Sequence, residues 1–192
     1  NTNNQNTTQQ NNRNNTNRQN NQMMMMTKLT AEEMDRKFMM EAAMGNMAEI
    51  QLAQLAMRKA SDADVKNFAQ MMIDHHTDAQ NNLRQIAQRM GMTLPADVGP
   101  NHKAVMDGLN DMSGMNFDMA YIKLQMSDHA AMADMYKMQG KSGRDRDLKD
   151  YARRTLPVVE NHWQMTKSID NKMHRMMMPG GGNMNTNMRN NR

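Results

Sequence analysis

The chain has 192 residues, a net charge of +4 and no cysteine. Its length fits one domain, and the lack of cysteine excludes disulfides and thiolate metal sites. No apolar run approaches the ~20 residues of a membrane-spanning helix, and Lys and Arg are scattered, so neither a transmembrane segment nor a nucleic-acid surface is clearly indicated.

Both ends of the chain have compositions that cannot form a core. Residues 1–27 are mostly Asn, Gln and Thr and close on a run of methionines, and residues 176–192 are rich in Met, Gly and Asn. Such segments bury too little apolar surface to offset chain entropy. We therefore expect a disordered tether over 1–27, a low-complexity tail over 176–192, and a folded domain over 28–175.

The folded region is rich in helix formers and poor in Val and Ile, which predicts an all-α domain without strands. Turn-forming breaks divide it into four long helices, with a short one near 103–110. The long helices are predicted at about 31–60, 62–90, 115–139 and 144–175. Ser61 and Ser142 are expected N-caps, and Pro157 is expected to kink the fourth helix or reset its start.

Two short turns and one long connection favour a ferritin-like four-helix bundle, with a crossover connection between helices 2 and 3. The alternative is a simple up-down-up-down order.

Each predicted long helix carries an apolar stripe in steps of four and three that is interrupted near mid-helix by an ionisable residue. The interruptions are Glu49, His76, Asp128 with His129 beside it, and His162. The third stripe is expected to contain Phe117, Tyr121, Leu124, Asp128, Ala131, Met135 and Met138. Unpartnered ionisable groups are costly to bury, so groups that converge on one core should bond each other or an ion.

A set of side chains rich in imidazole and poor in carboxylate suits copper or zinc. The first candidates for metal ligands are Glu49, His76, His129 and His162, and the alternates are His75, Asp128, Met72 and Met126. Copper is the preferred ion, and zinc or no ion are the alternatives. Without an ion, the same histidines would hydrogen-bond polar groups across the bundle.

Methionine is unusually frequent, with 29 residues in the chain. Some, such as Met72 and Met135, are expected to fill the core. Others are expected on outward faces, including Met40, Met44, Met47, Met71, Met115, Met119 and Met126. Thioethers are soft ligands that prefer Cu(I), so one hypothesis is a copper-handling surface. Compositional bias, oxidant absorption and contacts with another subunit remain open.

Four segments carry a family resemblance: 38–60 (FMMEAAMGNMAEIQLAQLAMRKA), 68–87 (FAQMMIDHHTDAQNNLRQIA), 117–129 (FDMAYIKLQMSDH) and 156–162 (LPVVENH). Over 31–171 the chain resembles the bacterial ferritin-like proteins of domain-of-unknown-function family 4142, as a methionine-rich member. The resemblance implies a four-helix domain exported to the periplasm or outer envelope, with no established activity. It places the family's histidines at His76, His129 and His162, and puts His75 where the family has Asp.

A di-iron oxidase would need a Glu-x-x-His motif on each of two helices. The residues three before the candidate histidines are Met72, Ile73, Met126 and Val159, so the motif is absent and no enzyme is expected.

We expect a periplasmic or extracellular protein, its leader removed, that sequesters or buffers a soft metal ion. The alternative is a metal-free structural protein that self-associates through its Asn/Gln-rich and Met-rich tails.

Overall fold

The computed structural model describes residues 30–177, and these form five helices and no strand. The helices are α1 (Ala31–Lys59), α2 (Ala63–Arg89), α3 (Gly99–Asn110), α4 (Gly114–Ser142) and α5 (Arg146–Met177). The prediction of an all-helical bundle is confirmed for this part of the chain. The predicted tether and residues 178–192 of the predicted tail lie outside the described residues, whereas Met176 and Met177 belong to the last turn of α5.

The four long helices form a closed set of neighbours. α1 packs against α2 and α4, and α5 packs against α2 and α4. Asp35 near the start of α1 bonds the turn after α4, and Asp118 near the start of α4 bonds the turn after α1. Lys172 late in α5 pairs with Asp64 at the start of α2. Each long helix therefore runs antiparallel to both of its neighbours.

The start of α1 is closed by a capping box. The Glu33 amide donates to the Thr30 hydroxyl at 3.2 Å, and the Thr30 amide donates to Glu33 Oε2 at 2.7 Å. This reciprocal pair satisfies amide groups that the first turn of a helix leaves without partners.

The N-caps predicted at Ser61 and Ser142 are wrong, because aspartates perform this task. Asp62 accepts bonds from the amides of Asp64 and Val65 at the start of α2. Asp145 accepts from the amide of Leu148 at the start of α5, and Ser142 is the last residue of α4. A carboxylate also interacts favourably with the positive end of the helix dipole.

Pro157 lies inside one continuous helix α5 and does not divide it. The proline removes one amide donor, but it sits on the exposed side of the bundle, where water can satisfy the freed carbonyl. At the end of α2, Gly91 adopts φ 64°, and the Met92 amide bonds back to Ala87. This left-handed glycine ends the helix and turns the chain toward α3.

The two hairpins hold each other through a pair of buried carboxylates. Asp118 accepts bonds from the amides of Ser61 at 3.1 Å and Asp62 at 2.9 Å, and from the Ser61 hydroxyl. Asp35 accepts from the amides of Arg144 at 3.0 Å and Asp145 at 2.7 Å. Each aspartate is the fifth residue of its helix and reaches the turn of the other hairpin. These bonds set the height of one hairpin against the other.

The apolar core consists of two separate clusters, one toward each end of the bundle. One contains Leu52, Phe68, Met72, Phe117, Tyr121 and Met173. The other contains Phe38, Met39, Leu83, Tyr136, Leu148 and Tyr151. Buried polar residues occupy the stretch of each long helix between the clusters. They form a polar layer that contains Asn46, Glu49, His76, Gln80, Gln125, His129, His162 and Thr166.

The third apolar stripe is buried as predicted at Phe117 and Tyr121, but it drifts away from the buried face of α4 after Tyr121. The buried residues are Phe117, Asp118, Tyr121, Ile122, Gln125, His129, Tyr136, Gln139 and Gly140. Ala131 and Met138 are exposed, and Asp128 is half-buried. His129 is therefore the ionisable residue that faces the core on this helix, and Asp128 lies beside it toward the surface.

None of the helices over residues 30–177 is both long enough and apolar enough to cross a membrane. The short helix α3 contacts α1 and α4, and it adds Leu109 and Met106 to the first apolar cluster.

Replacing Asp118 with Ala should destabilise the fold, because two backbone amides in the α1–α2 turn lose their charged acceptor. We expect a loss of about 2–4 kcal/mol in the free energy of unfolding, measured by urea denaturation. The matched control is Asp134→Ala, which removes an exposed carboxylate from the same helix and should cost less than about 0.5 kcal/mol. Equal losses in the two variants would contradict the role assigned to Asp118.

Candidate metal centre

Three helices each place one imidazole in the middle of the polar layer. His76 comes from α2, His129 from α4 and His162 from α5, and all three are buried, with at most 3% of each residue exposed. Each offers a ring nitrogen, and these three nitrogens lie within 4.8 Å of one another. The four-three spacing of apolar residues on α2 and α5 aims His76 and His162 at the core, so the group follows directly from how these helices pack.

His129 has a tautomer that its surroundings fix. Its Nδ1 lies 2.9 Å from the Gln125 backbone carbonyl, which can only accept a hydrogen bond. Nδ1 of His129 therefore carries the proton, and in the neutral ring Nε2 keeps its lone pair. That lone pair points at His162 Nδ1, 3.2 Å away.

His76 is oriented in the same way by an amide from α1. Its Nδ1 donates to Asn46 Oδ1 at 3.0 Å, while the Asn46 amide group donates to Gln80 and to the Tyr151 hydroxyl. The His76 Nε2 atom is buried and has no hydrogen-bond partner among residues 30–177. A metal-binding histidine commonly has this arrangement, with one nitrogen tied to an oxygen and the other free for the ion.

His162 links the buried imidazoles to the exposed His75. The His162 Nε2 atom lies 2.8 Å from His75 Nδ1, and the two rings are nearly parallel. In the ion-free protein, His129 Nε2 accepts a bond, so His162 Nδ1 carries the proton and donates it. The other nitrogen of the neutral His162 ring, Nε2, has no proton and therefore accepts a bond from His75 Nδ1. A directed chain of bonds therefore runs from His75 through His162 and His129 to the Gln125 carbonyl.

The buried histidines are neutral at pH 7, because burial penalises the imidazolium form. Burial lowers the pKa of His129 to about 4, against a smaller opposing effect of its bond to the Gln125 carbonyl. Burial also lowers the pKa of His162 to about 3, helped by the charges of His129 and His75. The pKa of His76 falls well below 6.5 for the same reasons. Neutral imidazole is the form that binds metal ions.

Glu49 was predicted as a ligand, but its carboxyl group is not part of the three-imidazole group. Its Oε2 accepts a bond from the Gln125 amide at 2.6 Å. Burial raises the pKa of Glu49 to about 8, against the effect of that bond, so the group is mostly protonated at pH 7. Glu49 reaches the centre through Gln125, whose backbone carbonyl holds His129.

The alternate candidates take four different positions. His75 is exposed and bonds His162. Asp128 is half-buried, and its pKa is raised by burial and lowered to a lesser extent by the charge of His102. Met72 is fully buried in the first apolar cluster, and Met126 is half-buried on α4. Neither His75 nor Asp128 belongs to the three-imidazole group.

The side chains that orient the imidazoles were not predicted. Asn46 and Gln125 are buried amides on α1 and α4, and Tyr151 supports Asn46 from α5. Asn46 lies three residues before Glu49, and Gln125 lies four before His129, so both are within one turn of a predicted ligand. A polar residue three or four positions from a predicted ligand indicates a possible hydrogen-bonding partner, because residues at that spacing share a helix face.

The outward methionines are less exposed than the sequence indicated. Met71 and Met119 pack against the first apolar cluster, and Met40, Met44 and Met47 are half-buried on α1. The reason on α1 is that α3 packs against this helix, with Gly99 near the Met44 sulfur. Met115 is exposed, as are Met57, Met112, Met138, Met176 and Met177.

Comparison with solved structures shows the same fold in a distant protein. The structure of a Streptomyces coelicolor protein described as secreted, DUF305, superposes with a TM-score of 0.64. The identity is 12%, and the match covers 73% of this chain and 94% of that one. At this identity the likeness concerns the fold alone.

No curated protein matches the chain. The family described as "Domain of unknown function (DUF4142)" matches residues 19–169, which include the polar layer and all three imidazoles. This agrees with the resemblance found in the four sequence segments. The chain belongs to the DUF4142 family.

Proposed function

We propose that the bundle binds one transition-metal ion at His76, His129 and His162, with copper as the first candidate and zinc as the second. The observation that carries the proposal is the His76 Nε2 atom, which is buried, unbonded within residues 30–177, and close to the ring nitrogens of two other neutral imidazoles. An unpaired nitrogen in a buried site is costly, and an ion held by all three rings would remove that cost.

The distances suit coordination by nitrogen. Bonds of about 2.0–2.1 Å from an ion to imidazole nitrogens, in tetrahedral geometry, separate the nitrogens by roughly 3.3–3.4 Å. His129 Nε2 and His162 Nδ1 are already 3.2 Å apart. His76 would complete a three-nitrogen set if its ring nitrogen, which lies within 4.8 Å of the other two, moved to about 3.3–3.4 Å from them. The fourth position of the ion would then be open to water or to a small ligand.

The choice of ion rests on ligand chemistry. Imidazole suits copper, zinc and nickel, whereas Mg²⁺ and Ca²⁺ prefer oxygen ligands. The three-imidazole group holds no carboxylate. Copper is preferred over zinc because the chain carries 29 methionines, whose thioethers favour Cu(I), and no cysteine.

The role proposed is sequestration or buffering of the ion, not catalysis. A di-iron centre needs bridging carboxylates, and the nearest one, Glu49, is hydrogen-bonded to Gln125 and mostly protonated at pH 7. The three imidazoles are also buried, with at most 3% of each residue exposed, which favours retention of an ion over turnover of a substrate.

The finer topology proposed is a ferritin-like four-helix bundle with a crossover. Arg89 at the end of α2 pairs with Asp147 at the start of α5, and Asp118 at the start of α4 bonds Ser61 after α1. The connection between α2 and α4, which includes α3, then runs from one end of the bundle to the other. That is the connectivity of ferritin-like folds.

We place the protein outside the cytoplasm, in the periplasm or beyond. The support is the fold shared with a protein described as secreted, together with the export that the family resemblance implies.

Removing one imidazole should abolish the site without unfolding the bundle. We expect wild-type protein to bind one Cu(II) or Zn(II) ion per chain by isothermal titration calorimetry. His76→Leu should weaken binding by more than about 100-fold, beyond the loss seen when an outer-shell partner is removed. Its helical circular dichroism should stay unchanged, because Leu fits between the two apolar clusters.

The control is His102→Leu, which removes a histidine on α3 whose Nδ1 bonds the Val98 carbonyl. This variant should bind like the wild type. Absence of binding by the wild-type protein, or equal binding by the wild type and His76→Leu, would rule out this centre.

The ion-free protein should lose stability as the pH falls from 7 toward 5. The unfolded chain protonates its histidines near pH 6.5, but in the folded state the pKa values of His129 and His162 are about 4 and 3. Each such group lowers the free energy of unfolding by at most about 1.4 kcal/mol per pH unit in this window. Glu49 acts in the opposite direction, because its pKa in the folded protein is raised to about 8. Its single carboxyl group offsets only part of the effect of the three buried histidines.

Urea denaturation of metal-free protein at several pH values measures this slope. His162→Leu should make the slope shallower, because one depressed histidine is gone. A free energy of unfolding at pH 5 that equals or exceeds the value at pH 7 would contradict the lowered pKa values of the buried histidines.

A further inference from the structure

A surface groove lies directly outside the proposed centre, between α2 and α5. It has a volume of about 290 Å³ and is lined in part by His75, Asp78 and Asn82 from α2 and by Tyr151 and Arg154 from α5. His75, Asp78, Asn82 and Arg154 are exposed, whereas Tyr151 is buried. The groove is therefore open to solvent, and one of its lining residues, Tyr151, belongs to the buried interior.

Two contacts connect this groove to the centre. His75 in the groove lies 2.8 Å from His162, through Nδ1 and Nε2. Tyr151 in the groove bonds the Asn46 amide, which in turn holds His76. The groove wall is thus linked to two of the three imidazoles, directly to His162 and through the Asn46 side chain to His76.

We propose that this groove is the route by which the metal ion reaches the centre, and that His75 is the first ligand it meets. The inference rests on the proposed function and adds how the site is filled. An exposed imidazole next to a buried one lets an ion exchange water for His75, and then His75 for the inner ring nitrogens. After this first exchange, the ion keeps at least one nitrogen ligand throughout its transfer to the centre.

The groove would capture the metal ion by direct coordination and not by long-range electrostatic attraction. Asp78 is negative and Arg154 is positive, so they largely offset each other at the mouth. Asp78 lies three residues after His75 on the same helix face and offers a carboxylate oxygen as a second transient ligand. The imidazole of His75 is the nitrogen donor at this position, and copper and zinc bind imidazole well.

Once the ion is bound, His75 takes a second role. The ion uses one ring nitrogen of His162, and if that is Nδ1, the proton moves to Nε2. His75 Nδ1 then accepts from His162 Nε2, and the displaced proton returns through the solvent-facing nitrogen of His75. The total number of protons on the two rings is unchanged. His75 so becomes the outer partner that orients a ligand histidine.

Two substitutions at His75 separate loading from orientation. In His75→Asn the side-chain amide can still bond His162 but is a poor ligand for copper, so the loading rate should fall more than 10-fold while the equilibrium affinity stays within about threefold of wild type. In His75→Leu both functions are lost, so loading should slow and affinity should also fall, by about 10–100-fold.

The readout is stopped-flow fluorescence with Cu(II). The chain has a single tryptophan, Trp163, next to His162 in sequence, and bound Cu(II) should quench it. Asn82→Ala is the matched control, because it shortens another groove residue on α2 and should leave the loading rate within twofold of wild type. Equilibrium stoichiometry after long incubation is measured for every variant.

The outcomes are distinct. Wild-type protein that binds no Cu(II) at equilibrium defeats the proposed function itself. Wild-type protein that binds one ion, with His75→Asn loading at the same rate, leaves the centre intact and overturns only the route through the groove. A folded His75→Asn that binds no ion at equilibrium would make His75 a permanent ligand and would also overturn the loading role.

Discussion

A layer of buried amides, imidazoles and one carboxyl group crosses the middle of the bundle, between two apolar clusters. The clusters remove this layer from water, so every polar atom in it must find a partner inside the protein or bear a desolvation cost. Most atoms do find one: Asn46 bonds His76, Gln125 bonds Glu49 and His129, and His162 bonds both His129 and His75. Two atoms of the layer have no partner within residues 30–177, the Nε2 atom of His76 and the Oε1 atom of Gln125. The proposed metal site depends on the first of them, because His76 offers a ring nitrogen within 4.8 Å of ring nitrogens of two other imidazoles.

The helical frame explains why the imidazoles meet at one height. Asp35 and Asp118 tie each hairpin to the turn of the other, so the axial position of α1 against α4 is fixed at both ends. A shift of one hairpin by one helical turn would leave both buried carboxylates without donors, so these bonds oppose such a shift. The resulting alignment brings mid-helix residues of α2, α4 and α5 to a common point.

Periodicity predicted the buried stripes of α1, α2 and α5 well and failed over most of α4 for a physical reason. On α2 the expected stripe from Val65 to Ile86 is buried throughout, because its outer face is strongly polar and the contrast is clear. On α4, Gln125 and Asp118 are polar yet buried, and Ala131 is apolar yet exposed. The partners that make burial of Gln125 and Asp118 tolerable come from α1 and the turn after it, so no local pattern on α4 could reveal them.

The candidate site was predictable in its histidines but not in its carboxylate. A lone imidazole within an apolar stripe indicates the core side of a helix, which is what His76 and His162 have in common. Glu49 is in register too, but a stripe gives only the face of a helix and not the distance across the bundle. Likewise, the cover that α3 gives to Met44 depends on a loop path that residue periodicity does not describe.

X-ray absorption spectroscopy of the copper-loaded protein tests the central claim most directly, since it identifies the atoms bound to the ion. We expect about three imidazole nitrogens at roughly 2.0 Å, with the multiple-scattering pattern of histidine rings. A first shell dominated by sulfur would place the ion on methionines instead, and a shell of oxygen alone would mean surface binding. Either result would contradict a buried three-imidazole centre.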